Sequence, residues 1–251
     1  MPTVASFASL SAEAVSRAGA GAVRPPDPTD VIDGERPRVV VEPATAERLA
    51  ATLGWATEQG LTTVVRGGGT KLDWAPLAEP FDLLLSTAAL DAVVAHRDGD
   101  LTATVQAGAK LGRVNEVLRA HRQWLPLDPA WPDHATIGGI VATNDSGPRR
   151  HWHGAPRDLI IGVTIARADG QIAKAGGIVV KNVAGYDLSR LMTGSFGCLG
   201  VIVDVTFKLA PRAAASRTVT VEVGSVDALA GAVAVLGPPG PGRRPGRGGG
   251  G

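Results

Sequence analysis

The sequence holds one cysteine, Cys198, in 251 residues. That excludes a disulfide framework, a cysteine-rich zinc site and a self-contained iron–sulfur cluster. It fits a reducing compartment. Long apolar runs are also missing: no segment approaches the roughly 18 uninterrupted apolar residues of a spanning helix. No basic segment followed by an apolar stretch opens the chain, so no secretory signal is expected. Charge of one sign is not in excess. The formal net charge is +1, and no basic face or stripe points to nucleic acid. The Gly-x-Ser-x-Gly elbow and the paired carboxylates of hydrolases are absent as well. No internal repeat stands out.

What is there is an ordinary globular composition, 44% hydrophobic and 20% charged. The N-terminal segment, residues 1–37, predicts a short helix opened by Ser11-Ala12-Glu13 and ended by Gly19, then a proline break from Pro25 to Pro28. Arg38 to Val41 predicts a buried strand. Thr45 reads as a helix N-cap, with Leu49, Leu53 and Ala56 at helical spacing and Gly60 as the stop. Leu61 to Val65 predicts a second strand. Residues 38–66 thus form a β-α-β unit that delivers the chain into Arg66-Gly67-Gly68-Gly69-Thr70-Lys71.

Further strands are expected over Asp82–Leu85, then as two hairpins. Ala92–His96 and Leu101–Gln106 flank Asp98-Gly99; Leu159–Ala166 and Gln171–Lys174 flank Asp169-Gly170. Leu111, Val114, Val117 and Leu118 mark an amphipathic helix, and Ile137–Ala142 a tightly packed helix start after Thr136. Trp124 to Pro132 reads as a proline-rich loop. Gly200–Leu209 and Arg217–Val223 predict strands, and Val226–Leu236 a helix. Residues 237–251, rich in glycine, proline and arginine, cannot build a core and read as disordered. The simplest organisation is α+β in two lobes, 38–150 and 151–236, divided near residue 150.

Three glycines after a buried strand cost conformational entropy. They either make a flexible turn or let backbone N–H groups cradle an anion. Two common phosphate motifs do not apply. The Rossmann fingerprint needs Gly-x-Gly-x-x-Gly opening a helix, but the chain continues Thr70-Lys71-Leu72-Asp73-Trp74-Ala75-Pro76. The P-loop needs Gly-Lys-Ser/Thr, and here Thr70 precedes Lys71. His151 and His153 could share one face on a strand, but no carboxylate or cysteine cluster completes a metal set. A loop near a cofactor edge, or plain surface, is the expectation there.

Several stretches in order carry more than the loop alone. They are Val64 to Thr70; Leu127-Asp128-Pro129; Thr136-Ile137-Gly138-Gly139 with Ala142, Asn144 and Gly147; Lys181-Asn182-Val183-Ala184-Gly185-Tyr186-Asp187-Leu188; and Gly194 to Ile202. This series, covering roughly residues 38–210, resembles the FAD-binding domain of the vanillyl-alcohol-oxidase and p-cresol-methylhydroxylase flavoprotein family. Its lysine–asparagine–glycine–tyrosine–aspartate segment is most similar to the FAD-binding E subunits of bacterial glycolate oxidases.

The resemblance implies a two-lobed (PCMH-type) α+β fold with FAD extended between the lobes. It implies that Arg66, Gly67, Gly68, Gly69, Thr70 and Lys71 form the pyrophosphate loop. Thr136, Gly138 and Gly139 would flank the phosphates from the second wall, although the paired glycines could instead serve close helix–sheet packing. Ala142, Asn144 and Gly147 would approach the ribityl or isoalloxazine end. Gly200 and Val201 would contact the adenosine or ring region, and Pro129 belongs to the same cofactor set. Some relatives attach FAD through a histidine just after the glycine loop. Thr70 and Lys71 stand there, so FAD is expected to be non-covalent. Cys198 is expected to be buried and inert. Lys181 and Tyr186 could act near the flavin or be structural, and Asp158 is expected to cap or pair.

The family continues into a substrate-covering domain, which is expected to be missing or truncated here. No catalytic acid or base is therefore assigned. The implied function is an FAD-binding subunit of a glycolate oxidase or dehydrogenase complex, oxidising a small 2-hydroxy acid, glycolate, to glyoxylate. A second flavoprotein subunit and an iron–sulfur subunit would be its partners. The implied location is cytoplasmic, with no direct membrane insertion and any inner-membrane attachment made through partners. Alternatives are a stand-alone FAD-dependent 2-hydroxy-acid or alcohol oxidoreductase, or a non-catalytic interaction subunit.

Overall fold

The computed structural model describes residues 7–75, 77, 80–177, 187–216 and 220–236. The chain divides into two compact units, residues 1–212 and 213–251.

The first unit opens with α1 (Phe7–Ala18), which starts before Ser11 and ends at Gly19 in a left-handed conformation, φ +102°. β1 (Val23–Arg24) and β2 (Val39–Val41) follow, the latter wholly buried. α2 (Ala46–Glu58) is capped by Thr45, whose hydroxyl accepts the Arg48 N–H at 3.2 Å. It leads into β3 (Thr63–Arg66). β4 (Leu83–Ser86) is buried along its full length. It lies between β2 and β3 and pairs in parallel with both, giving the sheet order β1-β2-β4-β3. The predicted β-α-β unit is present, but its two strands are not neighbours. A parallel sheet needs cover on both faces. Here Val39, Val41, Leu83 and Leu85 face α1 and α2, and Val40 and Leu84 meet Ile32 and Phe81.

The second sheet is antiparallel. β5 (Val93–Arg97) and β6 (Thr102–Gln106) form the first hairpin; its connection is a 3-10 turn over Asp98–Asp100 closed by Leu101 at φ +54°. α3 (Leu111–Arg119) buries Leu111, Val114 and Leu118, while Val117 is exposed. After β7 (Gln123–Trp124) come α4 (Ile137–Thr143) and the single turns α5 (Arg150–His153) and α6 (Pro156–Leu159). β8 (Ile160–Ala166) and β9 (Ile172–Gly176) form the second hairpin. α7 (Leu188–Met192) precedes β10 (Val201–Lys208), and β11 (Ala210–Pro211) pairs with β7.

The order β5-β6-β10-β8-β9 places β10 at the centre, paired with β6 and β8. The sheets therefore change over between Ser86 and Val93, whereas the expected division lay near residue 150. The cause is pairing across about a hundred residues: Val105 opposes Val205, and Thr104 and Thr206 share a hydroxyl hydrogen bond of 2.8 Å. Ala166, Val201 and Val203 also pack into the core of the first sheet, joining the two sheets into one body.

The second unit contains α8 (Val226–Leu236), as the apolar pattern predicts. Within the expected strand Arg217–Val223, the described residues 220–223 carry no strand. The expected tail, residues 237–251, lies outside the described residues.

Candidate functional site

The glycine loop emerges from β3 where the two sheets meet. Its backbone is fitted to the segment before α4. A Cβ on Gly67 would overlap the Thr136 side chain, and one on Gly68 would overlap the His134 carbonyl. Gly69 takes φ +70°. Two of the three glycines are thus demanded by packing inside the protein, and the third by backbone conformation.

Thr136 stands at the N-cap of α4 but does not cap it with its side chain. Its Oγ1 instead accepts the Gly68 N–H at 3.3 Å, linking the two walls. The N–H groups of Ile137 and Gly138 donate to the carbonyls of Ala109 and Ala107, at 2.9 and 2.7 Å. A Cβ on Gly138 would sit 2.7 Å from the Ala107 Cβ, so this glycine serves close helix–sheet packing. Gly139 meets only Thr136 Oγ1, at 3.2 Å.

Between these walls lies an open cleft of about 110 Å³. Of the expected cofactor residues it brings together Gly67, Gly68, Gly69, Thr70, Lys71, Thr136, Gly138, Gly139, Ala142, Gly200 and Val201. Val65, Leu72, Thr87, Ala107, Thr143, Phe196, Gly197 and Ile202 complete its lining among the described residues. A second, wider cleft of about 590 Å³ runs along the same loop and includes Arg66, Asp33 and Trp131.

Both cations at the loop are already paired. Lys71 is buried; its Nζ lies 3.0 Å from Asp145 Oδ2 and donates to Thr70 Oγ1 at 3.0 Å. Arg66 turns to Asp30, at 2.7 Å, and to the Thr29 carbonyl, at 3.2 Å. Asp30 is fully buried and also takes two bonds from Arg24, at 2.6 and 2.8 Å. The Arg24 guanidinium, with the Asp27 N–H and Arg66, holds the Asp30 carboxyl well below the usual carboxylate range against the cost of burial. An anion in the cleft is therefore left to backbone donors. Among the described residues, the N–H groups of Gly67, Gly69 and Thr70 have no acceptor. Successive unpaired N–H groups in a turn form an anion-binding concavity.

Four expected residues stand outside the first cleft. Arg66 lines the second. Asn144 is the left-handed C-cap of α4, at φ +51°. Gly147 lies against Asp128, to whose carbonyl and carboxylate its N–H donates at 3.0 and 2.9 Å. Pro129 is buried beside that turn. The C-terminal carbonyls of α4 are capped from a distance: Gly194 N–H bonds to Val141 O at 3.0 Å and Phe196 N–H to Ala142 O at 2.8 Å.

That turn also corrects the expectation for Cys198, whose side chain is exposed. Left-handed residues Phe196 and Gly197 reverse the chain just before it, and the thiol is left at the surface. His151 and His153 lie on a helical turn, not a strand. His153 meets Trp124 edge-on at 5.3 Å between ring centroids, and burial together with Arg149 lowers its pKa. Asp158 accepts the Ala155 N–H at 2.9 Å, the structural role expected of it. Lys181 and Tyr186 lie outside the described residues. Thr87 and Ala107 had no local signal, because sheet pairing alone carries them to the cleft. No helix among the described residues is long and apolar enough to cross a membrane.

Comparison with known proteins agrees with this geometry. The profile of an FAD binding domain matches residues 37–190, more than half of the chain. The chain is 41% identical over 138 residues to glycolate oxidase subunit GlcE of Escherichia coli, covering 55% of this chain and 39% of that protein. It is 31% identical over 194 residues to glycolate oxidase subunit GlcD of Bacillus subtilis, covering 77% and 41%. It is 33% identical over 174 residues to D-lactate dehydrogenase of Archaeoglobus fulgidus, covering 69% and 39%. The chain thus spans about two fifths of the length of these relatives. Among solved structures, an alkyldihydroxyacetonephosphate synthase shares the fold, with a TM-score of 0.62 and 21% identity over 70% of this chain and 35% of the synthase. With the family profile matched across both walls of a cleft lined by glycines and unpaired N–H groups, the chain belongs to the PCMH-type FAD-binding family, and FAD is its cofactor.

Proposed function

We propose that this chain is the FAD-binding part of a 2-hydroxy-acid oxidoreductase, holding FAD non-covalently. The observation that carries this reading is that the N–H groups of Gly67, Gly69 and Thr70, flanking the bonded Gly68, have no acceptor among the described residues, in a cleft whose neighbouring cations are already paired. A pyrophosphate supplies the acceptors that these groups lack. Gly139, Ala142, Gly200 and Val201 are small or apolar and let a ligand approach the backbone closely. Thr70, hydrogen-bonded to Lys71, offers no imidazole for a covalent link.

Bound FAD supplies the two-electron acceptor, and the protein supplies binding and orientation. The Lys71–Asp145 pair ties the loop to the turn after α4 and keeps the two walls in register. The substrate class follows the relatives, two named as glycolate oxidase subunits and one as a D-lactate dehydrogenase. Within that class we favour glycolate, oxidised to glyoxylate. Electrons would pass to a second flavoprotein subunit and an iron–sulfur subunit, with any membrane attachment made through them.

The purified chain is expected to show flavin absorbance, or to gain it on titration with FAD. Acid precipitation should release all of the flavin into the supernatant. A folded protein, judged by circular dichroism, that takes up no FAD would overturn the reading. Flavin that stays in the acid pellet would overturn its non-covalent part.

A further inference from the structure

Two aromatic side chains on the cleft walls have backbones that bulky residues rarely adopt. Phe196 has φ +53° and Trp131 φ +51°, in the left-handed region where a bulky residue is an outlier. Backbone hydrogen bonds hold both there. The Phe196 N–H donates to Ala142 O at 2.8 Å, and the Trp131 carbonyl accepts from His134 N and Ala135 N at 3.0 and 2.9 Å. Neither ring builds the core: Phe196 is 47% exposed and Trp131 56%. Glycine would adopt either backbone without strain. Folding alone therefore does not account for a large exposed ring at these two positions.

Their placement suggests a use. Phe196 lines the first cleft beside Ala142, Thr143 and Gly197, and Trp131 lines the second beside Val31 and Ile32. The two clefts share Gly67, Gly68, Gly69, Thr70 and Leu72. The loop with the unpaired N–H groups is thus common to two clefts, each with one exposed aromatic ring.

We propose that Phe196 and Trp131 are the stacking platforms for the two flat ring systems of the bound dinucleotide, whose pyrophosphate sits on the shared loop. This rests on the FAD reading above and adds two residues to it. FAD carries one ring system on each side of its pyrophosphate, which matches two clefts that share the anion-binding turn, each with one exposed aromatic ring. An aromatic side chain presents its face to any planar heterocycle, and apolar bulk without a π face does not replace it. The proposal gives Phe196 and Trp131 different halves of the ligand.

The test measures affinities of the full chain for FAD, ADP and FMN. The variants are Phe196→Leu, Phe196→Tyr, Trp131→Leu and Trp131→Phe. Each leucine variant is expected to weaken FAD about ten-fold, in the range of base–aromatic stacking. The Tyr and Phe variants should keep wild-type affinity. One leucine variant should weaken ADP and spare FMN, and the other should do the reverse. An unchanged FAD affinity in either leucine variant overturns the proposal, as does a loss confined to the same half-ligand in both. Phe196→Gly and Trp131→Gly relax the backbone. Their apo forms should melt no lower than wild type while binding FAD more weakly, which separates stacking from misfolding. A wild-type chain that binds none of the three ligands would overturn the FAD reading itself, not the platforms.

Discussion

Lys71 sits at the second position after three glycines, where the family resemblance places the cofactor's phosphates. Position along the chain could not say whether its charge is free. Asp145 arrives from the far end of α4 and takes that charge in a buried pair at 3.0 Å. A buried pair is costly to break from one side, because the remaining charge is left without a partner. Lys71→Met should therefore destabilise the protein by about 3–5 kcal/mol. Lys71→Met combined with Asp145→Leu should recover much of that loss. Denaturant unfolding of the two variants checks this; a single variant as stable as the double would show that the pair carries nothing. Gly67 and Gly68 teach a related lesson. Glycine in a loop suggests room for a ligand, but here a side chain would first strike Thr136 or His134. No window of sequence around residue 67 contains residue 136.

At the scale of elements, the local patterns were readable. Thr45 caps α2, the apolar spacing of α3 predicts its buried face, and both Asp-Gly turns join paired strands. Less readable was what each element packs against. β2 and β3 belong to the expected β-α-β unit, yet β4 lies between them. A buried parallel strand such as Leu83–Ser86 is apolar on both faces, so its pattern does not name its neighbours. The seven-residue helix α4 shows the same limit. Asn144, expected toward the ribityl or isoalloxazine end, is also the left-handed C-cap of α4, which the sequence does not announce. Asn144→Gly should leave the melting temperature unchanged or slightly raised, since glycine accepts φ > 0 freely. Asn144→Val should cost about 1–2 kcal/mol. Thermal unfolding distinguishes the two, and equal melting temperatures would show that the cap geometry is unimportant.

For the whole molecule, the described residues that line both clefts all lie between Thr29 and Ile202, inside the unit that ends at Arg212. A chain ending at Arg212 should unfold cooperatively and bind FAD within about two-fold of the full chain, the coupling expected of remote parts. Equilibrium titration of the shortened chain checks this, and a large loss of affinity would place part of the site beyond residue 212. The sequence by itself determined most element types, the glycine loop and the family, because caps, turns and periodicity act over a few residues and the five motifs keep their order; the expected strand at 217–223, of which residues 220–223 carry none, and β7 were the exceptions. Only the tertiary structure decided that β5 and β6 join the sheet of β8 to β10. The same holds for the Lys71–Asp145 and Arg66–Asp30 pairs, the packing role of Gly138, and the exposure of Cys198. Each depends on which distant segments meet. The glycine loop became a site when residues 134–136 closed on it, taking the Gly68 N–H and leaving those of Gly67, Gly69 and Thr70 without an acceptor among the described residues.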